Sequence, residues 1–154
     1  MKVLPDLAPE ESSRIAANVF ALPQGVIGFP SYTRAELLYM PEHLPFLWMK
    51  LRGPAGVVNF VVLEPGGVIP NYELELFDAD AASLEISDSG EAAVFNVVTL
   101  QPQAPLEATV NLIGPIVVNR RTRIGRQLVI ANHSRYSARH RLVLEHPSAA
   151  CLSA

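Results

Sequence analysis

From Val19 onward the chain is a succession of short apolar runs, each cut off by Pro, Gly or Asn. Val19–Leu22 stops at Pro23-Gln-Gly25, Glu36–Met40 at Pro41, Phe46–Arg52 at Gly53-Pro54, and Val57–Leu63 at Glu64-Pro65-Gly66-Gly67. Proline cannot donate to a sheet ladder and glycine accepts the positive φ of tight turns, so each break predicts a turn between strands. Tyr72–Phe77, Ala92–Leu100, Ala108–Ile113 with Ile116–Asn119, and Arg126–Ala131 continue the series, for about eight or nine strands. Punctuated runs of this length predict a mainly β fold, an antiparallel barrel-like single domain.

Within the runs, side chains alternate as a half-buried sheet requires. In Phe46–Arg52, Leu47, Met49 and Leu51 share one face, while Phe46, Trp48, Lys50 and Arg52 share the other. Phe46 and Trp48 therefore belong either to a second core layer or to an exposed anchor. Thirteen prolines leave little room for long helices. The one helical candidate is Asp78–Ile86, about two turns, with Asp78 or Asp80 placed to cap it. Residues 1–16 and 145–154 show no periodicity and read as loose ends around a core at about 19–142.

Length and composition narrow the class. A chain of 154 residues with 49% apolar and 18% charged residues can bury a core and is unlike a disordered chain. The single cysteine, Cys151, offers neither a disulfide nor a cysteine zinc site, which suits a reducing cytoplasm. The first 15 residues carry Asp6, Glu10 and Glu11 and lack the continuous apolar stretch of a secretory signal. No run reaches the roughly 18 apolar residues of a membrane span. The reading is a soluble, cytoplasmic protein.

Charge is divided unevenly. Between Gly53 and Asn119 there are nine acids and no Lys or Arg; from Arg120 to Arg141 there are seven arginines and no acid. Either these halves form two faces of opposite sign that steer charged partners, or they interleave and neutralise each other.

Groups for catalysis do not converge in the sequence. His43, His133, His140 and His146 have no metal-ligand spacing, and no nucleophile elbow, phosphate loop or dinucleotide fingerprint occurs. Glu73/Glu75 and Asp78/Asp80 lack the further ligands of a calcium loop, so a solvated acidic face is the simpler reading. No enzyme, cofactor or metal is expected.

Several motifs stand in order along the chain. The first is Val19-Phe-Ala-Leu-Pro-Gln-Gly-Val-Ile-Gly-Phe-Pro30, followed by Pro45-Phe-Leu-Trp-Met49, Asn59-Phe-Val-Val-Leu-Glu-Pro65 and Ile69-Pro-Asn-Tyr-Glu73. Thr109-Val-Asn-Leu-Ile-Gly-Pro-Ile-Val-Val-Asn119, Gly125-Arg-Gln-Leu-Val-Ile130 and Tyr136-Ser-x-Arg-His140 complete the set. Together, over about residues 19–142, they resemble the landmarks of the FliW family of flagellar assembly factors, with Leu22 where Phe is usual in the opening element. The Arg120–Arg123 cluster is more basic than the family pattern. The resemblance implies a non-catalytic β domain that binds flagellin in the cytoplasm. Once flagellin is exported, the freed protein binds the translational regulator CsrA and relieves its repression.

Candidate contact residues follow from charge and punctuation. Glu73 and Glu75, flanked by Tyr72 and Phe77, are acidic candidates for a surface facing CsrA, whose RNA-binding role demands basic groups. Asn111, Pro115 and Asn119 interrupt an apolar run and predict a bulge or an exposed edge; the amides either satisfy backbone groups there or border a peptide-binding edge. Either Tyr136, Arg139 and His140 orient a partner's carboxylate, or the tyrosine and arginine form a buried brace against the barrel end. The rival reading is nucleic-acid binding by Arg120–Arg141 with Tyr136 stacking, set against a pI near 5.8.

Overall fold

The computed structural model describes residues 1–4, 19–101 and 107–142, and in them the alternating runs become eleven strands and one short α-helix. Strands β1 (Lys2–Val3), β2 (Val19–Ala21), β3 (Arg34–Leu38), β4 (Phe46–Gly53), β5 (Gly56–Leu63) and β6 (Leu74–Glu75) precede helix α1 (Asp78–Ser83). Strands β7 (Ala92–Gln101), β8 (Glu107–Val110), β9 (Ile116–Asn119), β10 (Gly125–Gln127) and β11 (His140–Leu142) follow it. The mainly β, antiparallel expectation holds. One nine-stranded sheet runs β10-β9-β7-β5-β4-β3-β2, with β8 and β11 added beside β7, while β1 pairs with β6 alone.

The sheet curls without closing, so it is a barrel only loosely. Its two ends meet at a single parallel bridge between Ala21 and Ile124, beside an Ala21 N–H that donates to the Arg123 carbonyl at 2.9 Å. At Gly125 any side chain would be blocked: a Cβ would lie 2.7 Å from Val118 Cγ2 and 2.9 Å from the Val117 oxygen. Glycine there lets β10 lie close against β9.

Alternation along β7 sorts the core into two clusters. Ala92, Val94 and Val98 enter one, with Phe46, Leu63, Tyr72, Leu74, Leu76, Val110 and Ile130. Ala93 and Phe95 enter the other, with Phe20, Leu22, Leu47, Met49, Leu51, Val62 and Val118. Strand β4 divides as its pattern predicted, with Leu47, Met49 and Leu51 in the second cluster and Phe46 in the first. Trp48 is neither core nor a free anchor: it is half-buried, and its Nε1 donates to His43 Nδ1 at 3.3 Å.

Three expectations are corrected. Met1–Leu4 is not loose: Lys2 and Val3 pair with Glu75 and Leu74, and Val3 is fully buried. The remainder of the proposed loose ends, residues 5–16 and 145–154, lies outside the described residues. Neither Asp78 nor Asp80 caps α1, because Phe77 occupies the cap position; the aspartates instead meet the N-terminal amine at 3.6 Å and Arg126 at 3.4 Å. The helix also stops at Ser83, short of Ile86. Glu85 adopts φ 56°, and the Glu85 and Ile86 N–H groups donate back to Ala82 and Ala81, which closes the last turn.

Phe95 is fully buried and stacks against Phe20 at 6.1 Å between centroids. Phe95→Ala is expected to lower unfolding free energy by about 3–5 kcal/mol, the usual loss for a buried aromatic. Phe77→Ala, at a half-exposed position, should stay within about 0.5–1 kcal/mol in the same denaturant titration.

Candidate partner-binding surfaces

Strands β8 and β9 lie in succession along β7, and the chain between them carries surplus length. Val98 faces Val110 and Phe95 faces Ile116, so three steps on β7 match six on the partner chain. The result is a bulge over Asn111–Pro115, as the proline and asparagine predicted. Asn111 Oδ1 accepts from the Ile113 and Gly114 N–H groups at 3.1 and 3.0 Å, and Pro115 is buried with its carbonyl accepting from Leu128. Asn111 thus satisfies the bulge backbone.

Asn119 has a similar internal task and is fully buried. Its Nδ2 donates to the Leu84 and Glu85 carbonyls at the end of α1, at 2.8 and 3.2 Å, and its Oδ1 accepts from Arg121 and Thr122. One amide therefore ties the helix end to the β9–β10 turn. Both asparagines satisfy backbone groups, and Asn119, fully buried, has no surface with which to meet a partner.

Tyr72 is likewise an internal residue. It is buried, donates to the Leu112 carbonyl and accepts from Asn96 Nδ2 at 3.2 Å, while that same Nδ2 reaches the Asn111 carbonyl at 2.9 Å. Burial pushes its hydroxyl far above the ordinary phenol range, opposed by the Asn96 hydrogen bond. Its ring meets Tyr136 edge-on at 5.0 Å. Tyr136 is half-buried and holds this segment without the arginine of the expected Tyr–Arg brace: its hydroxyl accepts from the Glu73 N–H at 2.9 Å. Asn132 completes the clamp, donating to the Glu73 carbonyl at 2.8 Å and accepting from the Glu75 N–H at 2.9 Å. Arg139 takes no part, being exposed with its N–H on Ser137 Oγ, and His140 pairs with Val110 in the sheet.

Asn96 and Asn132 were missed by sequence reasoning. Asn96 had a visible signal, a lone amide inside the apolar run Ala92–Leu100. Asn132 had none, because its partners are backbone groups 57 and 59 residues distant.

The accessible remainder of the predicted site is the outer side of β6 and the start of α1. Glu73 and Glu75 are half-exposed, and Phe77 is 50% exposed beside Asp78. The N-terminal amine and Lys2 lie near Asp78 and Glu73, with Lys2 at 3.8 Å from Glu73. Such exposed pairs are weak, about 0–1 kcal/mol, and leave the carboxylates open to competition. The two charged halves partly interleave: Arg126 meets Asp80, and Arg141 meets Glu107 at 2.6 Å. Arg121, Arg123, Arg135 and Arg139 are exposed, while Tyr136, the aromatic of that stretch, is half-buried with its hydroxyl on the Glu73 N–H. Among the described residues, no group of three or more His, Cys, Asp or Glu is placed to hold a metal ion, and no helix is long and apolar enough to cross a membrane.

Tyr72→Phe removes the donor to Leu112 and is expected to cost about 1–3 kcal/mol in chemical denaturation. A phenol whose folded pKa is raised stabilises fully below its unfolded value of about 10 and loses that contribution as pH rises beyond it. Alkaline melts of the unsubstituted chain should therefore fall above about pH 10, with a shallower fall for Tyr72→Phe.

Comparison with known proteins assigns this arrangement. The family model described as FliW protein matches residues 10–142. The flagellar assembly factor FliW of Desulfitobacterium hafniense strain Y51 is 34% identical over 140 residues, covering 91% of this chain and 86% of that protein. That of Geotalea uraniireducens is 37% identical over 124 residues, covering 80% and 73%. A crystal structure of the flagellar assembly factor FliW superposes with a TM-score of 0.72 at 29% identity, covering 84% of this chain and 88% of the other. The chain belongs to the FliW family of flagellar assembly factors.

Proposed function

We propose that this protein works in the cytoplasm by holding other polypeptides reversibly, binding flagellin while it is abundant and CsrA once flagellin has been exported. The observation that carries the reading is the family match over residues 10–142. The switch requires two competing contacts and a change in free flagellin, with no bond made or broken; occupancy then follows mass action.

The β6–α1 surface suits the CsrA contact. Phe77 is an exposed aromatic anchor set among Glu73, Glu75 and Asp78, next to a rigidly clamped backbone. An acidic rim around an apolar anchor attracts the basic surface of an RNA-binding protein and repels RNA itself. Rigidity helps because little order has to be imposed on binding.

A pull-down from the native cytosol should recover CsrA when flagellin is scarce and flagellin when it is added. Recovery of neither protein, or a salt-sensitive shift of labelled RNA by the purified chain alone, contradicts the proposal. Glu73→Lys with Glu75→Lys is expected to slow CsrA association at low salt by roughly tenfold, an effect of lost steering that added salt should shrink. Unchanged on-rates in stopped-flow mixing would remove this surface from the contact.

A further inference from the structure

An apolar strip continues the Phe77 surface along the outer side of β10 and its extension. Leu128 and Ile130 enter the first core cluster, so Gln127 and Val129, which alternate with them, point away from it, and Val129 is 51% exposed. The chain from Arg126 to Ala131 runs antiparallel to that from Glu75 to Asp80. The Ala131 N–H donates to the Glu75 carbonyl at 2.6 Å, and Arg126 reaches Asp80 at 3.4 Å. Equal lengths of chain separate the two contacts, which sets Val129 beside the half-exposed Phe77.

The far end of the strip is Ile27, 73% exposed in a turn of fixed shape. Val26 and Phe29 bridge that turn, and the Phe29 ring meets Tyr32 and Phe60 edge-on at 5.5 and 5.6 Å. At Gly25, with φ 62°, a Cβ would lie 2.0 Å from the Phe29 oxygen, so only glycine closes the turn. The Ile27 N–H donates to Gln127 Oε1 at 2.8 Å, and Gln127 Nε2 donates to the Gly114 carbonyl at 3.0 Å, which ties the turn to β10. Gln127 and Val129 are two strand steps apart, about 7 Å. Ile27, Val129 and Phe77 therefore follow one another along one side of the molecule. The chain leaves the described residues at other places: Leu4 is bonded to Ser89, Val19 pairs with Glu36, Gln101 with Glu107 and Leu142 with Ala108.

We infer that CsrA, seated on Phe77, extends its contact over Val129 to Ile27, so that the acidic rim steers it and this strip retains it. Continuity selects the occupant, because a protein covering Phe77 also covers its neighbour Val129. The strip supplies what the rim lacks: exposed apolar side chains on segments already held in place, which lose little freedom when covered and whose contribution salt does not screen. The inference rests on the proposed CsrA contact at the β6–α1 surface and assigns it two further residues.

The test places a cysteine at either end of the strip, Ile27→Cys or Val129→Cys, in a chain whose single cysteine is removed by Cys151→Ser. Both thiols should react readily with a maleimide in the free protein, and CsrA in excess should slow each reaction at least tenfold. In parallel, Ile27→Ser and Val129→Ser, checked for folding by thermal melts, should each weaken CsrA binding at least fivefold. That loss should persist at high salt, unlike the effect of reversing Glu73 and Glu75. Slow labelling of the free chain, labelling that CsrA leaves unchanged, or undiminished CsrA affinity in the folded serine variants overturns the inference. The proposed function then still stands, provided the unsubstituted chain binds CsrA; failure of that binding defeats both. Protection by flagellin and not by CsrA, or dissociation of a dimer of this chain by the serine substitutions, gives the strip to another occupant and likewise overturns the inference.

Discussion

Strand β7 has to serve two antiparallel partners in succession, β8 and then β9, on the side away from β5, and the chain linking those partners is three residues longer than the ladder can take up. Surplus backbone at that depth exposes N–H and C=O groups to an apolar interior, where each unpaired group is costly. Asn111 turns its own side chain onto the bulge, and Asn96 and Tyr72 reach it from β7 and from the segment before β6. The bulge is thereby a cross-link between the sheet and its cover, in which Asn96 donates through Nδ2 while its buried Oδ1 meets no hydrogen-bond donor among the described residues.

From that junction the remaining architecture follows in sequence. Tyr72 fixes the segment entering β6, Tyr136 and Asn132 grip the β6 backbone, and the chain start completes a two-stranded ribbon there, with the Met1 amine donating to the Leu76 carbonyl at 2.6 Å. Asn119, at the other end of β9, secures the carbonyls that close α1. Short side-chain amides do the work that long helices and continuous ladders do in other folds. The β6–α1 backbone is consequently clamped from several sides, with Phe77 half-exposed beside the carboxylates of Glu75 and Asp78.

Charge is distributed more subtly than the linear split between acidic and basic halves implies. Ion pairs such as Arg126 with Asp80 and Arg141 with Glu107 join the halves across the fold. What survives is local: an acidic rim beside Phe77, and a cationic sheet face built from residues of β3 and β4 that precede both halves in the chain. Neighbouring strands bring Arg34 opposite Arg52, a pair 18 positions apart in sequence, and only their register makes them one patch.

Local features were legible in the chain because they depend on local physics. Proline and glycine end strands wherever they stand, alternation assigns Leu47, Met49 and Leu51 to one face, and Pro115 with Asn111 announces a bulge. The family was legible too, since ordered motifs survive in the primary structure. Tertiary structure alone decided which polar residues are internal. Tyr72 and Asn119 look like surface residues from their neighbours in sequence, yet both are buried, because their partners at Leu112 and Leu84 are 40 and 35 residues distant. Strand β1 was equally hidden: two residues have no periodicity to be seen, and they form a strand because β6, inside the predicted Tyr72–Phe77 run, pairs with them.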